Sequence, residues 1–195
     1  MLYNAISTIL WACVLIRAVV LYILVGADYV SAGMADFTAG VQAIAILEVF
    51  HTMVGLVRAP LVTTAMQVAS RLAVIFGVVY MFPESATCTA FTTMVVAWGI
   101  TETIRYPFYW TSINGQVPGF LKWARYNLFI VLYPLGASSE AILIFRALPY
   151  AQSLSPYYNL FLKFLLVIYP PSFYVLYMHM WQQRAKVLGS KKRSN

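Results

Sequence analysis

A chain of 195 residues that is 62% hydrophobic and only 10% charged, with a mean hydropathy of +0.76, departs far from soluble domains, of which about a quarter is charged. This composition excludes a soluble enzyme and leaves no length for a soluble domain beside the membrane segments. The 13 basic against 6 acidic residues read as membrane topology rather than nucleic-acid binding, and no nucleic-acid partner is expected.

A spanning helix needs roughly 20 apolar residues, and hydropathy marks six such stretches, at 3–26, 38–57, 66–83, 88–110, 121–147 and 157–180. The expected fold is all-α, a polytopic bundle of six transmembrane helices. It forms one domain over 1–195, with a short basic tail from about 182 to 195. Breakers fall between the stretches: Gly26 to Asp36, Arg58-Ala59-Pro60, Pro83-Glu84, Asn114 to Gly119, and Pro149 to Pro156.

The first stretch has no basic start and no small-residue cleavage site, and Arg17 lies inside it, so it reads as a retained span rather than a signal peptide. Cys13 and Cys88 lack any partner spacing. They read as small buried apolar side chains, and neither a disulfide nor a metal site is expected.

Charges then alternate along the chain. Asp28, Asp36 and Glu84 mark the connections after the first and third stretches, whereas Arg58, Arg71, Lys122, Arg125 and the tail mark the others. Basic residues collect on alternate sides, which puts both termini in the cytosol, with Arg146 as the one departure. A four-span arrangement with re-entrant segments is the rival.

Ionisable residues inside a membrane are costly and mark sites or buried pairs. Glu48 and His51 sit at i, i+3 in the second stretch, LEVFHTMVGLVRAP, on one helix face. They form a supporting polar pair, either at a site or as a strut between helices. Glu102 and Arg105 have the same spacing in the fourth, WGITETIRYPFYW, and read most simply as an intrahelical ion pair. With only two histidines and no HExxH or HxxxH spacing, metal ligation has no support. Neither a P-loop, a Gly-x-Ser-x-Gly elbow nor a dinucleotide fingerprint occurs.

The fifth stretch, RYNLFIVLYPLGASSEAILIF, carries Tyr133 and Glu140 seven residues apart. Seven residues make about two helical turns, so both side chains share one face, about 10 Å apart along the axis. Pro134 between them deprives the carbonyl of Ile130 of its usual donor. Gly136, Ala137 and Ser138 keep the surface small enough for a slender ligand or a neighbouring helix. Taken alone, these features fit either a site or a kinked packing helix.

The blocks LYNAISTILW, LEVFHTMVGLVRAPLVTTAMQVASR, WGITETIRYPFY, LKWARYNLFIVLYPLGASSEAILIF and LYMHMWQQRAKVLG occur in order and cover nearly the whole chain. In them the sequence resembles the very-long-chain (3R)-3-hydroxyacyl-CoA dehydratases, the protein-tyrosine-phosphatase-like membrane proteins, and a fungal member most of all. The resemblance implies six spans in the endoplasmic reticulum membrane with both termini cytosolic. It also implies a catalytic tyrosine–glutamate pair at positions matching Tyr133 and Glu140. No Cys-x5-Arg signature follows Cys13 or Cys88, so phosphatase activity is excluded. The ending Lys191-Lys192-Arg193-Ser194-Asn195 is similar to a dilysine retrieval signal, with Arg193 departing at the third position from the end.

The implied reaction removes water from a (3R)-3-hydroxyacyl-CoA to give the trans-2-enoyl-CoA, the third step of very-long-chain fatty acid elongation. It needs a base for the C2 proton and an acid for the C3 hydroxyl, and no cofactor or metal. The preferred assignment makes Glu140 the base and Tyr133 the donor, because a neutral phenol is cheaper than a tyrosinate in an apolar core. The reverse assignment stays open. The expected partners are the acyl-CoA substrate, membrane lipid and the other elongation-cycle enzymes. Arg58, Arg71, Arg105, Lys122 and Arg125 gather at the cytosolic end, where they serve either the CoA phosphates or ordinary positive-inside charge. Two rival functions are a non-catalytic scaffold or lipid-binding member of the complex, and an ion pathway through Glu48, His51, Glu102 and Glu140. Against the latter stands the lack of any internal repeat.

Overall fold

Gly26 sets the first turn of the chain. Its φ of 80° lies in the left-handed region, which glycine enters without a Cβ penalty. A single residue therefore links α1 (Leu2–Val25) to α2 (Ala27–Ile44), which folds back along it. The computed structural model describes residues 1–55 and 61–189. Those residues are helical almost throughout, with no strand among them.

The remaining elements are α3 (Ile46–Met53), α4 (Leu61–Val74), α5 (Thr89–Ile113), α6 (Gly119–Asn127), α7 (Phe129–Leu154) and α8 (Pro156–Gly189). A π turn at Ile75–Val79 extends α4 and a 3-10 turn at Pro83–Ala86 precedes α5. Gly55 and Gly115, with φ of 76° and 74°, follow the ends of α3 and α5. Ser155 is extended, as a residue before proline prefers, and it separates α7 from α8.

Four helical segments are long and apolar enough to cross a membrane: Leu2–Val25, Ala27–Met53, Phe129–Leu154 and Pro156–Leu188. The chain is a membrane protein, and its exterior agrees. Ile9, Ile16, Ile23, Phe145, Val167 and Val175 all point outward, as lipid-facing side chains do. The helix from Thr64 to Val79 is apolar but shorter. The long helix α5 is less apolar, because Glu102 and Arg105 lie in it.

That polar helix is the most deeply packed. Between α1 and α7, α5 buries Phe91, Met94, Val95, Trp98, Glu102 and Tyr106. Glycine makes both approaches close. A Cβ on Gly99 would sit 3.0 Å from the Leu15 Cβ of α1, and one on Gly136 of α7 would sit 3.8 Å from the Ala97 Cβ. Small residues at helix contacts let backbones approach in this way where lipid offers no hydrophobic driving force.

One expectation about the cysteines and three about the helices shift: Cys13, expected to be buried, is exposed on α1, and Cys88 is half-buried. The stretch 27–37, read as a connection between Gly26 and the next span, is helix. Val30, Met34, Thr38 and Val41 recur at helical spacing and are buried, and that periodicity outweighs the breakers. The stretch 121–147 is divided at Leu128 into the short α6 and the long α7, and Pro149 lies inside α7 rather than ending it. The last stretch, 157–180, lies in α8, which continues past 180 to Gly189 through Pro170 and Pro171. The expected break at Arg58-Ala59-Pro60 and the end of the basic tail, 190–195, lie outside the described residues.

Candidate active site

The middle of α7 carries Tyr133 and Glu140 on the side facing α5 and α8. Pro134 does not interrupt the helix. The carbonyl of Ile130 that it deprives of a donor accepts from the Tyr177 hydroxyl of α8 at 3.4 Å. The Tyr133 ring stacks on Phe173 and Tyr177, with centroids 5.1 and 6.1 Å away. α8 thus satisfies the backbone around Pro134 and fixes the Tyr133 ring with the same residue. The Tyr133 hydroxyl has no hydrogen-bond partner among the described residues.

Glu140 is in the opposite condition, since both of its oxygens are engaged. Oε1 accepts from the indole N–H of Trp98 on α5 at 2.9 Å, and Oε2 accepts from the Tyr169 hydroxyl on α8. Trp98 can only donate, so Oε1 is the acceptor in this contact. Gly136, one turn before Glu140, is buried against Ala97 and Trp98. The small surface expected there serves the approach of α5 and brings the indole to the carboxylate.

Trp98 leads onward to an ionic cluster. The Arg71 guanidinium lies 5.1 Å from the Trp98 ring centroid, a cation–π contact, and pairs with Oε1 of Glu102. Oε2 of Glu102 accepts from Nε of Arg105 at 2.6 Å, across the expected i, i+3 spacing. Arg105 also grips Glu48 on α3 with both terminal nitrogens, at 2.9 and 2.8 Å. Tyr106 and Tyr3 complete the shell of Glu48 with their hydroxyls. Two carboxylates and two guanidiniums give a cluster that is neutral overall, the condition under which charges tolerate burial.

Glu48 and His51, expected as a pair, make no bond to each other. Glu48 is held by Arg105, and His51 packs edge-on against the Tyr3 ring at 5.2 Å. Arg71 and Arg105 spend their charge on carboxylates. Arg125 on α6 lies over the Tyr109 ring at 5.6 Å and donates to the Tyr109 hydroxyl at 3.3 Å. Lys122 is half-buried on the same short helix, and neither residue has a carboxylate partner among the described residues. Arg58 lies outside the described residues. No group of three His, Cys, Asp or Glu that could hold a metal occurs among the described residues.

Trp98 and Tyr169 are the contacts that sequence reading does not find. Two signals were present. Trp98 is one helical turn before Glu102 and so on the face of the ion pair, and Tyr169 precedes a proline as Tyr133 does. The result is an ionic and hydrogen-bonded line, with one cation–π link, from Glu48 through Arg105, Glu102, Arg71 and Trp98 to Glu140 and Tyr169. It presents an acceptor carboxylate and, on the same helix, an unengaged phenol.

Comparison with known proteins gives one family and a consistent set of relatives. The model of the protein tyrosine phosphatase-like protein family, PTPLA, matches residues 42–190. A probable very-long-chain (3R)-3-hydroxyacyl-CoA dehydratase of Schizosaccharomyces pombe is 42% identical over 95% of this chain and 90% of its own. The very-long-chain (3R)-3-hydroxyacyl-CoA dehydratase PASTICCINO 2 of Arabidopsis thaliana is 35% identical over 98% and 93%. The very-long-chain (3R)-3-hydroxyacyl-CoA dehydratase 2 of Mus musculus is 34% identical over 96% and 80%. No solved structure matches the chain.

Proposed function

The chain belongs to the protein tyrosine phosphatase-like, PTPLA, family, and from that membership we propose that it removes water from a very-long-chain (3R)-3-hydroxyacyl-CoA. The product is the trans-2-enoyl-CoA, and the protein is a hydro-lyase of fatty acid elongation acting as one catalytic unit. Its relatives in a fungus, a plant and an animal carry the name of that dehydratase.

One observation carries the assignment of roles. Glu140 accepts at both oxygens while the Tyr133 hydroxyl is unengaged. A carboxylate held as an acceptor suits a base, and a free phenol suits an acid. Glu140 takes the proton from C2, and the electron pair of that C–H bond becomes the C2–C3 double bond. The C3–O bond breaks as Tyr133 gives its proton to the departing hydroxyl, which leaves as water. Return of the proton from Glu140 to the tyrosinate restores both groups.

The CoA end is assigned to α6. Lys122 and Arg125 lack carboxylate partners among the described residues, whereas Arg71 and Arg105 have them, so α6 has charge to offer to phosphates. The proposal also includes six crossings with both termini cytosolic, an endoplasmic reticulum location and association with the other elongation enzymes. Six crossings are supported by contacts that join the helices in an up-and-down order. Tyr3 meets Glu48 and Tyr106 at one end, and Phe82 meets Tyr150 and Tyr158 at the other.

The test is turnover of a very-long-chain (3R)-3-hydroxyacyl-CoA by the purified protein. Tyr133→Phe and Glu140→Gln are each expected to lower kcat by at least about 100-fold, with the melting transition in detergent retained. Native turnover in either variant removes that residue from the mechanism. A wild type without turnover leaves the scaffold role.

A further inference from the structure

We propose that Tyr169 and Trp98 are positioning residues for the dehydration, acting through Glu140. The inference rests on the reading of Glu140 as the base. Their two donors arrive from different helices, Trp98 from α5 and Tyr169 from α8, and each takes a different oxygen of the same carboxylate. A glutamate on α7 has three rotatable bonds, and two fixed donors on opposite flanks leave it one orientation. The positions of the donors are themselves determined. Trp98 is 3% exposed, packs against Gly136 and lies beneath the Arg71 guanidinium. The carboxylate is therefore aimed by the packing of three helices.

The arrangement also gives a proton on Glu140 a preferred place. A proton on Oε1 has no acceptor in the indole, which only donates, whereas one on Oε2 can be donated to the Tyr169 hydroxyl, so the proton taken from C2 is assigned to Oε2. A hydroxyl both donates and accepts. Tyr169 can thus turn from donor to acceptor as Glu140 changes from base to acid, keeping the group in register through both halves of the cycle. Tyr133 cannot take this part, because its hydroxyl has no bond to Glu140.

The experiment is a double-mutant cycle on the full-length protein in detergent with a (3R)-3-hydroxyacyl-CoA substrate. Tyr169→Phe and Trp98→Phe are each made in the native and in the Glu140→Asp background. Glu140→Asp keeps a carboxylate but withdraws it by one carbon–carbon bond from both donors. In the native background each variant is expected to lose roughly 10- to 100-fold in kcat with KM unchanged. In the Glu140→Asp background the same changes are expected to cost less than about 2-fold. The effect of a donor that acts on substrate directly, or through the fold alone, would multiply fully in both backgrounds and overturn the proposal. Native kcat in both variants would overturn it too, while leaving the role of Glu140 intact if Glu140→Asp is slow. Native kcat in Glu140→Asp would instead overturn the reading of Glu140 as base, and this proposal with it. Each donor is tested separately, so a variant that loses its melting transition leaves the decision to the other.

Discussion

Glu102 is 1% exposed and lies between two guanidiniums, Arg71 and Arg105. In the cluster that ties α3, α4 and α5 together, it is the group that both cations share. Removing one member of a buried ion pair costs about 3–5 kcal/mol, because the remaining charge is stranded. Glu102→Gln keeps the shape and removes the charge, leaving two guanidiniums to share Glu48. It is expected to destabilise the protein by about 3 kcal/mol, read as a lower melting temperature in detergent. His51→Ala, which removes ring contacts to Tyr3 and Phe50 but no charge, is expected to cost under about 1.5 kcal/mol. At this scale the sequence was informative where partners share a helix. The i, i+3 spacing of Glu102 and Arg105 forecast their bond, and the seven-residue spacing put Tyr133 and Glu140 on one face. It was silent where partners lie on different helices. Arg105 chose Glu48 across 57 residues and Glu140 chose Trp98 across 42, and such choices depend on which faces meet, which a helical period does not state.

The helices themselves were legible as apolar runs, but their ends followed packing rather than breakers. Gly99 and Gly40 show how differently two helical glycines behave. At Gly99 the α1 backbone is so near that an added Cβ would lie 3.0 Å from Leu15, whereas at Gly40 nothing lies within 4 Å. Gly99→Leu is expected to force α1 and α5 apart and cost about 1–3 kcal/mol. Gly40→Ala, on an exposed face of α2, is expected to stabilise by about 0.5–1 kcal/mol through helix propensity alone. Thermal unfolding of the two variants beside wild type gives both signs in one experiment. Equal shifts would mean that the α1–α5 contact is looser than its geometry. The same contrast explains why 27–37 is helix despite Gly33, since Val30, Met34 and Thr38 bury one face of α2. Within α7, Pro134 is likewise harmless to the helix because α8 supplies the Tyr177 hydroxyl to the carbonyl that it frees.

For the whole molecule the proposed orientation is argued from charge. One end gathers Lys122, Arg125, Arg184 and Lys186, on α6 and the last turns of α8. The other has Asp28 in the first turn of α2 and Glu84 in the 3-10 turn, with Arg146 donating to the Ser85 carbonyl there. Lysine and arginine near span ends favour the cytosolic side, and on the proposed topology Gly115 and its neighbours are cytosolic and Glu84 lies across the membrane. The proposed orientation puts α6, with Lys122 and Arg125 as the proposed partners of the CoA phosphates, on the cytosolic side. The prediction uses single cysteines. In a Cys13→Ala, Cys88→Ser background, where serine at 88 keeps a donor for the Ser85 carbonyl, Asn114→Cys and Glu84→Cys are made separately. In sealed vesicles with the cytosolic face outward, a membrane-impermeant maleimide is expected to label Asn114→Cys at once. Glu84→Cys should react only after detergent opens the vesicle. Labelling of both positions in sealed vesicles would remove the crossing by α5, and with it the even count of spans. The opposite pattern would turn the whole bundle over and place Lys122 and Arg125 on the side away from the substrate.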